Sequence, residues 1–306
     1  MPPTPRQLTL PGTELAITEL ALGTAPLATG FWGNTAERAV DTVLAAIDAG
    51  VGLFDTAPLY GSGEAEQRLG AALALRSSAP RVLTTKVGNT VVGTGDDRTT
   101  GRDLSADGVR RQLAASLERL GVERVDIVHV HDPEDGIDQA IDETIPALVE
   151  LRRAGVIGAV SVGTNVVATA LTFVDRCDVD IVMVAGRLTL LDRSATVELL
   201  PALAARGISM LAAGVFNSGV LARPVEGAWF DYSPAAPEVV QRAQLMEAIC
   251  RDAGVALQAA ALQYPLRFGP VGAVVVGMAS PQEVADNVAH LAAEISHEVW
   301  DALDDA

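Results

Sequence analysis

The stretch from Ser105 to Val130 decides the fold; it reads SADGVRRQLAASLERLGVERVDIVHV. Ser105 is a favourable helix cap, and apolar residues follow it at spacings of three and four up to Leu120, after which Gly121 ends the pattern. The segment Asp126–Val130 then is apolar almost throughout, as expected of a strand that is buried on both faces. This stretch therefore predicts an amphipathic helix followed by a strand of a parallel sheet.

Seven further strands of this kind alternate with helical patterns along the chain. Because no Pro-, Gly- or Ser-rich linker interrupts them, we predict one closed (β/α)8 TIM barrel, a single α/β domain over residues 1–306. An open, doubly wound sheet is the alternative, but no GxGxxG motif follows any strand. The predicted strands are Ala21–Gly23, Leu53–Asp55, Val82–Lys86, Asp126–Val130, Ala159–Val162, Ile181–Val184, Ser209–Ala212 and Ala273–Val276.

The segment Gln7–Ile17, with a Pro-Gly turn near its centre, predicts a β-hairpin that closes the bottom of the barrel. Two long connections, Gly88–Asp103 and Leu221–Pro237, follow strands and should lie on the face where barrel active sites form. The predicted helices are residues 36–49 (capped by Asn34 or Thr35), Glu64–Leu75, Val109–Leu120, Asp138–Arg153, Ala168–Asp175, Asp192–Arg206, Glu238–Ala253 and Pro281–Ala292.

Charge and composition restrict the partners of this chain. Its 39 acidic and 22 basic residues give a formal net charge of −17, and no cluster of basic residues stands against it. Such a surface repels nucleic-acid phosphate and anionic lipid, so neither partner is predicted. No signal peptide and no apolar run of about 20 residues is present, so we expect a cytoplasmic protein. Cys177 and Cys250 lack metal-ligand spacing, no metal is expected, and nothing in the sequence indicates the oligomeric state.

Four polar residues lie at or just after the ends of three successive predicted strands: Asp55, Tyr60, Lys86 and His131. A lysine ammonium held by an aspartate can stabilise a phenolate and lower the pKa of the tyrosine from about 10 towards neutral pH. Tyr60 could then exchange a proton with an oxygen whose carbon gains or loses hydride, while a neutral His131 orients that oxygen. Taken singly, these residues could instead be a helix cap, a packing residue and a solvated lysine. We interpret His129, inside the strand, as a residue of the barrel interior or a satisfied core residue.

The same residues carry a resemblance to a known family. Phe54-Asp55-Thr56-Ala57-Pro58-Leu59-Tyr60-Gly61, Thr85-Lys86 and Asp126-Ile127-Val128-His129-Val130-His131-Asp132-Pro133 resemble the signature blocks of the aldo-keto reductases. The resemblance implies that Asp55, Tyr60, Lys86 and His131 form a catalytic tetrad. The segments Gly23–Leu27, Ala185–Arg187 and Val215–Leu221 resemble in particular bacterial aldose 1-dehydrogenases, of the L-fucose or D-threo-aldose type, and pyridoxal 4-dehydrogenase.

The resemblance also implies a nicotinamide dinucleotide, NAD or NADP, that lies along the strand ends without a Rossmann motif. The glycine-rich segment 214–221 resembles the loop that wraps the pyrophosphate, although it could also be an ordinary turn. The implied cofactor-binding residues are Thr24, Gly163, Asn165, Gly214, Phe216, Asn217, Ser218, Gly219, Leu221, Gly277, Met278, Ser280, Glu283 and Asn287.

The C-terminal part of this set bears on the choice between NAD and NADP. Members of the family that use NADP commonly place a Lys-Ser pair and an arginine against the 2′-phosphate, where this chain has Gly277, Met278 and Glu283. A carboxylate repels a 2′-phosphate and can accept a hydrogen bond from a ribose hydroxyl, so NAD is the expected preference. The alternative is that Glu283 only caps the helix that begins at Ser280-Pro281.

Loop residues supply the predicted substrate contacts, Leu27, Trp32, Trp229 and Tyr232. An aromatic face beside polar groups suits a sugar ring, so we expect oxidation of an aldose at C1 to a lactone. The alternatives are pyridoxal 4-dehydrogenase, a general aldehyde or ketone reductase and, more distantly, a non-catalytic barrel that binds the cofactor for regulation.

Overall fold

A hairpin of β1 (Gln7–Thr9) and β2 (Ala16–Thr18) opens the chain, and eight parallel strands then close into a barrel. The computed structural model describes residues 3–30, 33–79, 81–93 and 99–306. The TIM barrel is confirmed, and each predicted strand lies within two residues of an observed one at either end. The barrel strands are β3 (Leu20–Gly23), β4 (Leu53–Asp55), β5 (Val82–Val87), β8 (Val125–His131), β9 (Ile157–Thr164), β10 (Ile181–Ala185), β11 (Ser209–Ala213) and β14 (Val271–Gly277).

Most predicted helices are present, because their caps form as the sequence indicates. The side chains of Thr35 and Ser105 accept hydrogen bonds from the third residue beyond each of them, which fixes the first turns. The helices are α1 (Ala36–Asp48), α2 (Glu64–Ala74), α3 (Ala106–Leu120), α4 (Ile137–Gln139), α5 (Ile145–Arg153), α6 (Val167–Arg176), α7 (Leu199–Arg206), α8 (Pro237–Asp252), α9 (Leu257–Gln263), α10 (Pro281–Leu291) and α11 (His297–Asp305).

Two predicted helices are interrupted near prolines. The predicted helix Asp192–Arg206 is too long: a 3-10 turn occupies Ser194–Thr196, and α7 begins only at Leu199. Pro201 has no N–H and is tolerated only in a first helical turn, so the helix starts just before it. For the same reason a π-helical turn, Ala140–Thr144, precedes Pro146 and separates α4 from α5.

The N-terminal hairpin closes the bottom of the barrel, as predicted. Leu10 and Ile17 are buried in one apolar cluster with inward-facing residues of the barrel strands, among them Leu53, Ile127 and Ile181. Because the bottom of the barrel is filled in this way, the interior can open only at the opposite end, where the carboxyl ends of the strands lie.

Both long connections carry hairpins at that open end. Strands β6 (Asn89–Val92) and β7 (Thr99–Arg102) pair after β5, and β12 (Trp229–Phe230) pairs with β13 (Ser233–Pro234) after β11. The sequence predicted the length of these loops but not their strands. Within the described ranges, no helix is long and apolar enough to cross a lipid bilayer.

Candidate active site

The carboxyl ends of three neighbouring strands bring the predicted polar residues together. Asp55 ends β4, Lys86 is the last residue but one of β5, and His131 ends β8. Tyr60 lies in the turn between β4 and α2, where its backbone N–H donates to the carbonyl of Ala57. Parallel strands end at the same mouth of a barrel, so residues that are 76 positions apart in sequence meet at one site.

A buried ion pair forms the floor of this site. The Lys86 ammonium donates to both carboxylate oxygens of Asp55, at 2.6 and 2.7 Å, and to the carbonyl of Thr56 at 2.9 Å. The hydroxyl of Thr84 donates to the same carboxylate at 2.6 Å. Burial lowers the pKa of Lys86, but the charges of Asp55 and Tyr60 outweigh it and the pKa is raised overall. Lys86, the only lysine in the sequence, is therefore a fixed positive charge.

Tyr60 lies directly above this pair. The Lys86 nitrogen is 5.0 Å from the centre of the Tyr60 ring, and its charge and hydrogen bonding lower the pKa of the phenol. Burial has the larger effect, however, and together with Asp55 it raises the pKa of Tyr60 to about 12. The expectation of a pKa near neutral is therefore wrong for the protein without ligands. Lys86 acts in the predicted direction, but the phenol is protonated at neutral pH because burial disfavours the phenolate.

His131 contacts Tyr60 edge to face, with 6.2 Å between the ring centres. Burial, followed by the charges of Lys86 and Arg102, lowers the pKa of His131 to about 3, so the imidazole is neutral. Its Nδ1 atom is buried without a hydrogen-bond partner among the described residues. A neutral ring with its proton on Nε2 can donate to an oxygen at the mouth.

Asp132 is a residue of the mouth to which sequence reasoning assigned no role. Its Oδ2 atom lies 3.6 Å from Nε2 of His131, and its backbone has a left-handed φ of 45°. Burial and the neighbouring Glu134 raise the pKa of Asp132 to about 6. A non-glycine residue held in this conformation beside a candidate proton-transfer group is a signal of function. The His131-Asp132-Pro133 motif was visible in the sequence, but the orientation of the carboxylate was not.

Arg187 is a second residue without a predicted role; in the sequence it belongs to the segment Ala185–Arg187 that carries the resemblance. Located just after β10, it donates to the carbonyl of Asn165 at 2.6 Å and pairs with Asp192 and, through both carboxylate oxygens, with Asp231. These contacts connect the end of β9 to the β12–β13 hairpin. The neighbouring Tyr232 N–H donates to the hydroxyl of Ser218 at 2.9 Å.

The loop 214–221 has the backbone conformation of an anion-binding loop. Four of its residues, Gly214, Asn217, Ser218 and Gly219, have positive φ angles. Successive residues in such conformations turn backbone N–H groups towards a common side, where an anion can bind. A methyl group added at Gly219 would meet no atom within 4 Å, so the loop leaves open space there. Asn217 is buried, and its Oδ1 atom has no partner among the described residues. This loop is therefore the candidate site for the cofactor pyrophosphate.

The predicted cofactor residues differ in exposure. Gly163 is buried on β9 between His131 and Met183, whereas Asn165 and Phe216 are partly exposed beside the mouth. Thr24, Leu221 and Met278 are almost completely buried, so their side chains present no surface to a ligand and only their backbone atoms could reach one.

The residues after β14 form the N-terminus of helix α10. Ser280 caps α10 by accepting from the N–H of Glu283, and Glu283 accepts from the N–H of Ala279 at 2.8 Å. Asn287 donates to the carbonyl of Glu283 at 2.8 Å. Glu283 therefore has the capping role considered as the alternative. Gly277 is exposed, and Glu283 is the only charged residue at the three predicted phosphate positions.

Of the predicted substrate residues, two lie in the hairpin that follows β11. Trp229 and Tyr232 belong to the β12–β13 hairpin and are 43% and 68% exposed. Tyr232 also raises the pKa of Tyr60 slightly, which puts its phenol within electrostatic reach of the site. Leu27 is a correction, because its side chain is completely buried in the core. Trp32 lies outside the described residues.

Comparisons with known proteins agree with this geometry. The model of the aldo/keto reductase family matches residues 19–306. The chain is 37% identical to D-threo-aldose 1-dehydrogenase from a Pseudomonas species, over 95% of this chain and 94% of the relative. It is 34% identical to pyridoxal 4-dehydrogenase from Microbacterium luteolum, with the same shares covered. An aldo-keto reductase from Bacillus halodurans, solved in its holo form, superposes with a TM-score of 0.84 at 26% identity over 98% of this chain and 96% of that one. The chain belongs to the aldo/keto reductase family and is an NAD(P)-dependent oxidoreductase.

Proposed function

We propose that this enzyme oxidises an aldose at C1 to the lactone and prefers NAD to NADP. One observation carries the proposal: at the open mouth of the barrel the Tyr60 ring lies 5.0 Å from the ammonium of the buried Lys86–Asp55 pair and 6.2 Å from the ring of the neutral His131. This arrangement suits the transfer of one proton to or from a substrate oxygen.

Four residues of the site each have a separate role in the proton transfer. Bound nicotinamide supplies the group that accepts the hydride from C1. His131 donates from Nε2 to the C1 oxygen and orients it, while Tyr60 takes the proton of the C1 hydroxyl. Lys86 stabilises the resulting phenolate, and Asp55 holds Lys86 in place. Loss of a hydride from carbon and a proton from oxygen converts a cyclic hemiacetal into a lactone, which balances the reaction.

Several features support a sugar as the substrate. The Asp132 carboxylate at the mouth can accept hydrogen bonds from sugar hydroxyls, and Trp229 and Tyr232 offer aromatic surface next to it. The 37% identical relative acts on a D-threo-aldose. Pyridoxal, the substrate named for the 34% identical relative, remains the principal alternative, because it also combines an aromatic ring with hydroxyl groups.

The preference for NAD rests on charge. The positions that would hold a 2′-phosphate carry Gly277, Met278 and Glu283, none of them cationic. Glu283 caps α10, but its carboxylate still adds negative charge at this end of the site. A Glu283→Gln variant separates the two roles, because glutamine can keep the bond to Ala279 while it removes the charge.

The decisive experiment is a panel of aldoses, pyridoxal and simple aldehydes, measured with NAD and NADP by the absorbance of reduced nicotinamide. We expect the highest kcat/KM with an aldose and NAD, and a smaller difference between the cofactors in Glu283→Gln. Equal efficiency with both cofactors, or a preference for NADP, would contradict the cofactor proposal. Tight cofactor binding without turnover of any substrate would favour a regulatory barrel.

Tyr60→Phe tests the chemistry itself. Removal of the hydroxyl should reduce kcat by at least about a hundredfold, the usual contribution of general acid–base catalysis, and leave cofactor affinity nearly unchanged. The ring and its packing remain, so the fold should be retained. Unchanged turnover would remove Tyr60 from the mechanism.

Reduction of a carbonyl is the second candidate function, and the protonation of Tyr60 favours it. Because the pKa of Tyr60 is raised to about 12, the free enzyme holds a proton donor at neutral pH. We therefore expect the same site to reduce aldehydes at neutral pH and to oxidise hydroxyl groups increasingly well as the pH rises. A rate of oxidation that is constant between neutral and alkaline pH would argue against Tyr60 as the base.

A further inference from the structure

His129 is buried beside the site, and the mechanism above does not use it. It faces the interior of the barrel from β8, where it pairs in register with Lys86 on β5 and with Ser161 on β9. Its side chain is completely buried. This confirms a position in the barrel interior, but only one of its ring nitrogens has a partner among the described residues.

The contacts of His129 bear on which ring nitrogen carries the proton. Nδ1 lies 2.7 Å from the hydroxyl of Ser161, whereas Nε2 has no hydrogen-bond partner in the described part of the chain and lies 3.8 Å from Oδ1 of Asp55. The Ser161 hydroxyl can donate to the carbonyl of Val162, at 3.3 Å, or to the nearer Nδ1; when it donates to Nδ1, the proton of the ring is on Nε2, the nitrogen nearer to the carboxylate. The opposite tautomer would turn a lone pair towards a negative charge, so electrostatics favours the first. Burial, with the charges of Lys86 and His131, lowers the pKa of His129, and the ring is neutral.

Lys86 has more acceptors than protons. An ammonium has three N–H groups. Both oxygens of Asp55 and the carbonyl of Thr56 lie within 2.9 Å of its nitrogen, and the Tyr60 ring centre lies 5.0 Å from it, so a Tyr60 phenolate would be a fourth acceptor. Full hydrogen bonding to a Tyr60 phenolate therefore requires Lys86 to release one of the other three oxygens. The Thr84 hydroxyl already donates to Oδ1 of Asp55, but a charged carboxylate oxygen accepts more than one hydrogen bond, so the place that Lys86 leaves in this buried site calls for a further donor.

We propose that His129 is a positioning residue that supplies this donor: its Nε2–H bonds to Asp55 when Lys86 turns a proton to Tyr60. A movement of about 1 Å would bring the present 3.8 Å separation to hydrogen-bond distance. The inference rests on the proposed function, in which Tyr60 gains and loses a proton. The charged and titratable groups around His129 and Tyr60 are Asp55 on β4, Lys86 on β5, His131 on β8 and, from the β12–β13 hairpin, Tyr232.

Activity against pH provides the first test. In His129→Leu the donor is lost and Lys86 stays on Asp55, so the alkaline rise of kcat for oxidation should move up by about half a unit to one unit of pH, with KM nearly unchanged. His129→Gln keeps an N–H donor and should restore most of the wild-type profile. An unshifted profile in His129→Leu overturns the proposal.

A second test needs no cofactor and no turnover. Because Lys86 is the only lysine, protein labelled with ¹⁵N-lysine gives one side-chain nitrogen signal. Its change in chemical shift from wild type to Tyr60→Phe measures the contact between Lys86 and Tyr60. As the pH is raised towards the ionisation of Tyr60, we expect a smaller change when both proteins also carry His129→Leu, and equal changes in the two backgrounds throughout this range would disprove the coupling.

Ile127→Val is the matched control, because Ile127 also faces the barrel interior from β8 but its side chain carries no N–H. It should lower the unfolding midpoint without moving the pH profile or the lysine signal. If Tyr60→Phe retained turnover, the proposed function would fail, whereas the NMR comparison would still decide the coupling of His129 to Lys86.

Discussion

Asp55 and Lys86 are each 2% exposed, and neither charge is stable there without the other. Burying two charges costs more free energy than burying apolar groups, so such a pair is weak evidence for stability in itself. A substitution that removes only one of the two charges is costly, because the remaining charge is left buried without a partner. The pair therefore ties the stability of the barrel to the chemistry of Tyr60.

Asp55→Asn tests this link. We expect a loss of about 3–5 kcal/mol in the free energy of unfolding, the usual cost of an unpaired buried charge, together with a large fall in kcat. Denaturant unfolding and the substrate assay measure the two effects. The matched control is Asp132→Asn, since the side chain of Asp132 is 52% exposed at the same mouth and should contribute little to stability. Similar losses in the free energy of unfolding of both variants would show that the buried pair contributes no more to stability than an exposed carboxylate does.

At the level of elements, the strands and their ends could be predicted, because each strand is a short apolar run and polar residues follow at its carboxyl end. Asp55, Lys86 and His131 were found in this way. Helix α9 was missed because its sequence, LQAAALQ, is apolar on nearly every side and shows no period. The contact between Arg187 and Asp231 could not be predicted, because it joins residues 44 positions apart through the conformation of two loops.

The Arg187–Asp231 contact holds the β12–β13 hairpin over the mouth, and Asp231→Asn should loosen it. Trp229 and Tyr232 would then be less well positioned, so KM for the sugar should rise several-fold while kcat changes less. Steady-state kinetics checks the split between the two parameters. Asp175→Asn is the control, because it removes an ion pair with Arg206 on the surface, between α6 and α7. A lower kcat with unchanged KM would show that the hairpin acts in catalysis and not in binding.

For the whole molecule, the buried histidines make stability depend on pH. The pKa values of His129 and His131 are lowered in the folded protein, that of His131 to about 3. In the unfolded chain both bind protons below about pH 6.5, so the folded state loses stability as the pH falls from 6.5. Asp132 acts in the opposite direction, because its raised pKa of about 6 lets the folded state take up a proton first. Its partial exposure makes this opposing effect the smaller one.

We therefore expect the free energy of unfolding to fall by about 3 kcal/mol between pH 7 and pH 5, as His129 and His131 become protonated in the unfolded chain. Denaturant titrations at the two pH values measure the difference. His131→Asn removes one of the two buried sites, so it should reduce the dependence on pH by about 2 kcal/mol, whatever its effect on stability at pH 7. A wild-type stability that stays constant over this range would mean that the histidines accept protons in the folded state. His131 would then not be neutral as stated, and the proposed orientation of the substrate oxygen, which depends on a neutral His131, would be wrong.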